Sequence, residues 1–158
     1  MKSRPSVRWI AEAIAVVGVV ASLFFIREEL EQNQVAARAA AYQDLGIAVT
    51  ELWVAAATDR DLSDAWGSFL AADSASWADF DPSDRGLVTF YFVGILRLYE
   101  TTFLNVDEGL LDPSALQSLG WGTFTSDHPV WRLWPEVRDF VTPDFREYLA
   151  TTYDLSPG

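Results

Sequence analysis

The chain has 158 residues, half of them apolar and 14% aromatic, which is enough material for one globular domain with a real hydrophobic core. It contains no cysteine and one histidine, which excludes disulfides, thiolate chemistry and zinc sites built from cysteines or clustered imidazoles. Residues 1–27 hold four basic and one acidic residue, whereas residues 28–158 hold 7 basic and 22 acidic residues. Because phosphate backbones and anionic lipid surfaces repel so acidic a region, no nucleic-acid partner is expected.

The first predicted element is a transmembrane helix over residues 9–26, with the sequence WIAEAIAVVGVVASLFFI. It contains one charge and would be about 27 Å long as an α-helix, just enough to cross the hydrocarbon core of a bilayer. Trp9 suits a membrane interface, and Arg8 and Arg27 bracket the apolar run. A cleaved signal peptide is the alternative, but the length of the run and the lack of an A-x-A-like cleavage site favour a retained anchor.

Four small residues share one face of this predicted helix, because they recur at spacings of 4, 3 and 4 residues: Ala11, Ala15, Gly18 and Ser22. Such a face lets another helix approach closely, so we predict a membrane helix-packing surface formed by these residues and Glu12. Small residues are also common in any membrane helix. Glu12, which is costly in lipid, could extend its carboxylate to the headgroups instead of bonding to a neighbouring helix.

The orientation of the helix follows from its flanking basic residues. Lys2, Arg4 and Arg8 precede the apolar run, while Arg27 and Arg38 follow it among acidic residues. The positive-inside rule then places residues 1–8 in the cytoplasm. The domain that follows the helix is expected on the periplasmic side of a bacterial inner membrane.

The membrane helix is predicted to continue as a helical extension over residues 27–58, since this segment has no proline and only one glycine, Gly46. One apolar and small-residue stripe follows the helical period along it, formed by Leu30, Gln34, Ala37, Ala41, Leu45, Ala48, Leu52 and Ala55. A single helical rod linking the membrane to the domain is therefore expected.

Residues 59–158 are predicted to form an acidic, all-α domain of shorter helices that packs on the extension as a bundle, with no βαβ pattern. A second helix is expected over residues 62–72, and a third begins after the cap at Asp81. The third helix is apolar nearly all round over residues 87–99, so we expect it to be central, buried and too short for a second membrane span. Arg97 and Glu100 are spaced to pair on it. Proline-marked starts predict further short helices after Asp112, at Pro129 and at Pro143.

No motif in the sequence predicts catalysis, a metal site or a cofactor. The acidic segments 59–64 and 79–84 fail the calcium-loop pattern, because leucine and phenylalanine stand where its twelfth-position glutamate should be. Asp127 and His128 lack a nucleophile elbow, and no glycine-rich phosphate loop is present. The interpretation is that the protein is not an enzyme.

Aromatic residues are frequent in the C-terminal half: Trp121, Phe124, Trp131, Trp134, Phe140, Phe145 and Tyr148. Side chains of this kind dominate both cores and interfaces. Trp121, Trp131 and Trp134 are therefore candidates for contact with a partner, and the equal alternative is that they close the end of the helical core.

The chain resembles a family of small uncharacterised bacterial proteins that have one N-terminal transmembrane helix and a helical domain. The residues that carry the resemblance are the pattern W-x-x-E-A-I-A-V-V-x-V-V-A-S-L of the anchor with Arg27 and Asn33, Tyr99-Glu100, Glu108-Gly109-Leu110-Leu111-Asp112, Trp131, and Pro143-Asp144-Phe145-Arg146. The resemblance implies this architecture and no activity.

The leading functional hypothesis is a non-catalytic accessory or scaffolding subunit of a larger bacterial membrane complex, for instance a respiratory or photosynthetic one. Its expected partners are other membrane protein subunits and the lipid bilayer. The alternative is a free-standing membrane-anchored sensor or ligand-binding domain. An enzyme with a carboxylate pair is a third hypothesis, which no residue pattern localises.

Overall fold

A computed structural model of the chain describes residues 7–72 and 77–156. These residues contain helices, turns and bends but no strand, so the predicted all-α class is confirmed. The α-helices of the described residues are α1 (Val7–Thr58), α2 (Arg60–Ala71), α3 (Pro82–Asp107), α4 (Ala115–Ser118), α5 (Trp134–Val137) and α6 (Pro143–Tyr153). Short 3-10 helices lie between them at Trp77–Asp79, Trp121–Thr123, Pro129–Leu133 and Arg138–Phe140.

Helix α1 has 52 residues and contains no proline. The hydroxyls of Ser22, Thr50 and Thr58 each donate to a backbone carbonyl one turn earlier at 2.8 Å, so these polar side chains are satisfied without leaving the helix. The predicted helical extension to Thr58 is confirmed. The chain divides into two compact units, Met1–Ala39 and Ala40–Gly158, and the division falls within α1.

Helix α3 is the centre of the core in the unit Ala40–Gly158. Its buried apolar side chains recur at helical spacing: Val88, Tyr91, Phe92, Ile95, Leu96 and Tyr99. The expectation that α3 is the central, buried helix is confirmed for these residues. Its apolar surface is not fully covered, because Leu87 and Phe90 are exposed to solvent. A central helix of a small domain has too few neighbouring elements to be covered around its whole circumference.

The last turns of α1 contribute a narrow edge to this core. Leu45 and Val49 are buried there, and Leu52 packs close to α3, since a Cβ added at Gly94 would lie 3.4 Å from the Leu52 Cδ1 atom. The predicted stripe is thus confirmed over residues 41–52. Its remaining members are exposed: Leu30, Gln34, Ala37 and Ala55.

Side chains cap the starts of several helices, as the sequence predicts. The Asp59 carboxylate accepts a hydrogen bond from the Leu62 backbone N–H at 3.0 Å, ahead of α2. The Asp81 carboxylate accepts from the hydroxyl and the backbone N–H of Ser83 at 2.6 Å and 2.9 Å, ahead of α3. These two bonds hold the pKa of Asp81 below its ordinary value. Both acidic segments that fail the calcium-loop pattern therefore contain helix caps.

A buried carboxylate joins α3 to the start of α6. Glu100 is 3% exposed, and its two oxygens accept hydrogen bonds from the Arg97 guanidinium at 2.5 Å and from the Thr142 backbone N–H at 2.6 Å. Arg97 also donates to the Phe140 carbonyl at 3.2 Å. The predicted pairing of Arg97 with Glu100 is confirmed, and it leaves both oxygens of a buried charge satisfied.

Tyrosine hydroxyls also connect α3 with α6. The Tyr99 hydroxyl lies 2.9 Å from the Tyr153 hydroxyl and 3.1 Å from the Tyr148 hydroxyl. Burial and these hydrogen bonds raise the pKa of Tyr99 above its ordinary value, so the phenol stays neutral. The short C-terminal helices are therefore fixed to α3 by polar as well as apolar contacts.

Candidate membrane anchor and partner-contact surfaces

The apolar stretch of α1 is largely exposed in the part of the chain that the structure describes. Over residues 9–26 the large side chains are exposed, and none of the most apolar part of the helix is buried. At 1.5 Å per residue these eighteen positions cover about 27 Å. The N-terminal helix is thus long and apolar enough to cross a membrane.

Helix α3 also has the length and composition of a membrane span. However, 44% of the residues in its most apolar 18-residue stretch are buried in the described structure. Its apolar side chains form the centre of the domain core described above. The expectation that α3 is a core helix agrees with this placement. The expectation that it is too short to span a membrane was wrong, because the helix extends over 26 residues.

The predicted packing face of the anchor is open. Its residues are all exposed: Ala11, Glu12, Ala15, Gly18 and Ser22. A Cβ added at Gly18 would have no heavy atom within 4 Å, and the Ser22 hydroxyl donates to the Gly18 carbonyl at 2.8 Å. The use of this face as a packing surface stays a prediction.

The residues that predict the orientation of the anchor are only partly described. Lys2 and Arg4, with the rest of residues 1–6, lie outside the described residues, as does the side chain of Arg8. On the other flank, the Arg27 guanidinium pairs with the Glu31 carboxylate at 2.9 Å, and both side chains are exposed. The cytoplasmic placement of residues 1–8 therefore stays a prediction.

The three tryptophans that were candidates for partner contact lie in the core, which corrects that expectation. Trp121 is 3% exposed, Trp131 is 8% exposed and Trp134 is 3% exposed. Their rings pack on other aromatic residues, and Trp121 stacks on Tyr99 with 5.0 Å between the ring centroids. The alternative that these residues close the end of the helical core is the one that the structure favours.

The indole N–H groups of these buried tryptophans all donate hydrogen bonds within the domain. Trp121 donates to the Thr102 hydroxyl at 3.0 Å, and Trp131 donates to the Thr125 carbonyl at 2.8 Å. Trp134 donates to the Ser156 carbonyl at 3.3 Å. A buried indole N–H needs such a partner, and each of the three has one within the domain.

His128 caps the 3-10 helix Pro129–Leu133, whereas the neighbouring Asp127 carboxylate accepts a hydrogen bond from the Thr125 hydroxyl. The His128 Nδ1 atom accepts a hydrogen bond from the Val130 backbone N–H at 3.3 Å, and its ring packs edge-on against Phe124 with 5.2 Å between centroids. Burial lowers the pKa of His128 below its ordinary value, which favours the neutral ring that can accept this bond. Among the described residues, no group of three or more acidic or histidine side chains is placed to hold a metal ion.

A surface that the sequence reasoning missed lies between α2 and α3, and we call it the α2–α3 groove. It comprises two adjoining openings of about 370 Å³ and about 620 Å³ that share Ser83 and Leu87 in their linings. Acidic side chains line the first opening, and Leu87 and Phe90 line the second. The sequence shows that α2 carries acidic residues. It does not show which side of α3 stays exposed, because α3 is apolar on nearly all sides.

No protein-family model, curated protein or solved structure matches this chain. The resemblance to small membrane-anchored bacterial proteins therefore stays a prediction.

Proposed function

We propose that the protein is a single-pass membrane protein that acts as a non-catalytic accessory subunit, with the acidic helical domain outside the bilayer. The observation that carries the proposal is the uncovered apolar helix over residues 9–26. Fourteen of these eighteen positions are Val, Ile, Leu, Phe or Ala, and so largely exposed an apolar stretch would aggregate in water but is stable in a bilayer, where the helix satisfies its own backbone hydrogen bonds. The domain would face the periplasm, following the basic residues before the anchor.

The exposed apolar residues of the domain support a docking role. Phe90 and Leu87 on α3, and Ile47, Trp53 and Val54 on the part of α1 that belongs to the unit Ala40–Gly158, all reach solvent. Interfaces are enriched in exposed aromatic and aliphatic residues of this kind. The tryptophans of the C-terminal half, being buried, do not contribute to this surface.

The experiment that tests the proposal is purification of the full chain from native membranes in a mild detergent, followed by mass spectrometry of the intact assembly. We expect a stoichiometric complex with at least one other membrane protein. A chain that elutes only as a monomer would contradict the accessory role and favour the free-standing sensor.

The anchor face can be tested within the same experiment. We expect Gly18→Ile to lower recovery of the partner, because the added side chain separates helices that pack closely through Ala15, Gly18 and Ser22. Val19→Ile, at the next position, is the matched control and should recover the complex normally. Equal recovery with Gly18→Ile would show that this face is turned toward lipid.

A further inference from the structure

We propose that the α2–α3 groove binds a basic amphipathic helix of a partner protein. The inference rests on the proposed docking function and adds the site and the chemistry of the partner segment.

One wall of the groove is acidic. Asp61 and Asp64 lie one turn apart on α2, and Asp84 faces the same opening from α3. Neither Asp61 nor Asp84 forms an ion pair with the described residues, and Asp64 has Arg60 at 3.7 Å, with both side chains largely exposed. An exposed pair at that distance contributes little, so the wall keeps most of its negative charge.

The other wall is apolar. Leu62 from α2 and Leu87 and Phe90 from α3 line it, and Phe90 is 73% exposed. Tyr91 also lines it, and the buried hydroxyl of Tyr91 has no hydrogen-bond partner among the described residues. An exposed phenylalanine one helical turn from an exposed leucine offers the aromatic and aliphatic anchors on which interfaces depend.

The acidic wall and the apolar wall together determine which kind of partner segment can bind in the groove. A purely apolar partner would desolvate three carboxylates without pairing them, which is costly. A small polycation would pair with the carboxylates but leave Phe90 and Leu87 uncovered. A helix with Lys or Arg on one side and Leu or Ile on the other meets both walls, because its side chains recur at i, i+3, i+4 and i+7. Burial of the apolar side would contribute most of the affinity, and the charges would fix the orientation.

The test uses the full chain in phosphatidylcholine nanodiscs and a fluorescent peptide of Leu and Lys, with leucines at i, i+3, i+4 and i+7. Binding is measured by anisotropy, with empty nanodiscs as a blank. We expect Phe90→Ser to weaken binding of the peptide about tenfold. The triple change Asp61→Asn, Asp64→Asn and Asp84→Asn should weaken it at least as much. The affinity of the wild-type chain should fall as the salt concentration rises. Circular dichroism and thermal unfolding check that both variants are folded.

The matched control variants carry the same kinds of substitution at exposed positions outside the groove. Phe140→Ser removes another exposed phenylalanine, and the triple change Asp107→Asn, Glu108→Gln and Glu147→Gln removes the same charge from exposed sites outside the groove. Both should bind the peptide like the wild type. Equal losses in the two triple variants, or no loss with Phe90→Ser, would overturn the groove as the site.

The failure of this inference can be told apart from failure of the proposed function. If the native complex co-purifies equally with wild type and Phe90→Ser, the accessory role stands and the groove inference is overturned. If the peptide binds as expected while the wild-type chain is monomeric in native membranes, the groove inference stands and the accessory role is overturned.

Discussion

The apolar part of α1 and helix α3 have similar compositions but opposite surroundings. Both have the length and the apolar content of a membrane span. In the most apolar 18-residue stretch of each helix, no residue of α1 is buried, whereas 44% of the residues of α3 are buried. An apolar helix needs a nonaqueous environment, and composition does not say whether lipid or protein provides it.

The two helices also differ in the surroundings of a glutamate side chain. Glu100 in α3 is buried with two hydrogen-bond donors to its carboxylate, and Arg97 is one of them. Glu12 in α1 is exposed near one end of the apolar stretch, where a bilayer headgroup region would lie. Specific hydrogen-bond partners satisfy Glu100 inside the protein, whereas the environment expected for Glu12 is the headgroup region of a bilayer.

The sharpest test of the comparison uses two phenylalanines of α3, Phe92 and Phe90. Phe92 is completely buried, so Phe92→Ala should lower the free energy of unfolding by about 3–5 kcal/mol, through lost contacts and the cavity left behind. Phe90→Ala should change it by no more than about 0.5 kcal/mol, because the ring is mostly in solvent. Denaturant unfolding followed by tryptophan fluorescence measures both. Similar losses in the two variants would mean that the exposed side of α3 is covered.

The corresponding test on the anchor places a charge at its centre. Val17→Arg should disfavour membrane insertion by about 2.5–3.5 kcal/mol, since an arginine there faces the bilayer core. The fraction of the chain that resists alkaline carbonate extraction measures this, with Val17→Leu as the control. Retention of the arginine variant at the wild-type level would contradict the proposed span.

The buried carboxylate provides the third test. Glu100→Gln should lower the free energy of unfolding by about 1.5–3 kcal/mol, because the neutral amide loses the charge-assisted bond from Arg97 and brings an N–H₂ group to a site that needs an acceptor. The exposed Glu147→Gln on α6 is the control and should have little effect on the same unfolding curve. An unchanged midpoint for Glu100→Gln would show that the hydrogen bonds of Glu100 do not contribute to holding α6 against α3.

The smallest expected effect is a pH dependence from His128. Its pKa in the folded chain is lowered from the ordinary 6.5, so its contribution to stability is complete above that pH and is lost as the pH falls toward the folded pKa. Thermal unfolding between about pH 7.5 and about pH 5 should show this decline. His128→Asn keeps a side-chain acceptor for the Val130 N–H but has no proton to gain, so its decline should be shallower. An identical pH profile for both chains would remove His128 as the cause.

Local sequence chemistry was enough to place most helices. The absence of proline over residues 27–58 predicted that the helix of the apolar run continues to Thr58, and Asp59, Asp81 and Pro143 marked the starts of α2, α3 and α6. These signals act within a few residues along the chain, through caps, backbone angles and periodicity. The pairing of Arg97 with Glu100 is equally local, because residues three apart on a helix share a face.

The exposure of particular side chains was decided by the tertiary structure. Trp121, Trp131 and Trp134 were equally compatible with a core and with an interface until their rings and N–H groups were placed against Tyr99, Thr102 and the C-terminal segment. Phe90 and Phe92 are two residues apart in one apolar run, yet one is exposed and the other is buried. Burial depends on which distant elements pack over a residue, and the local pattern does not contain that information.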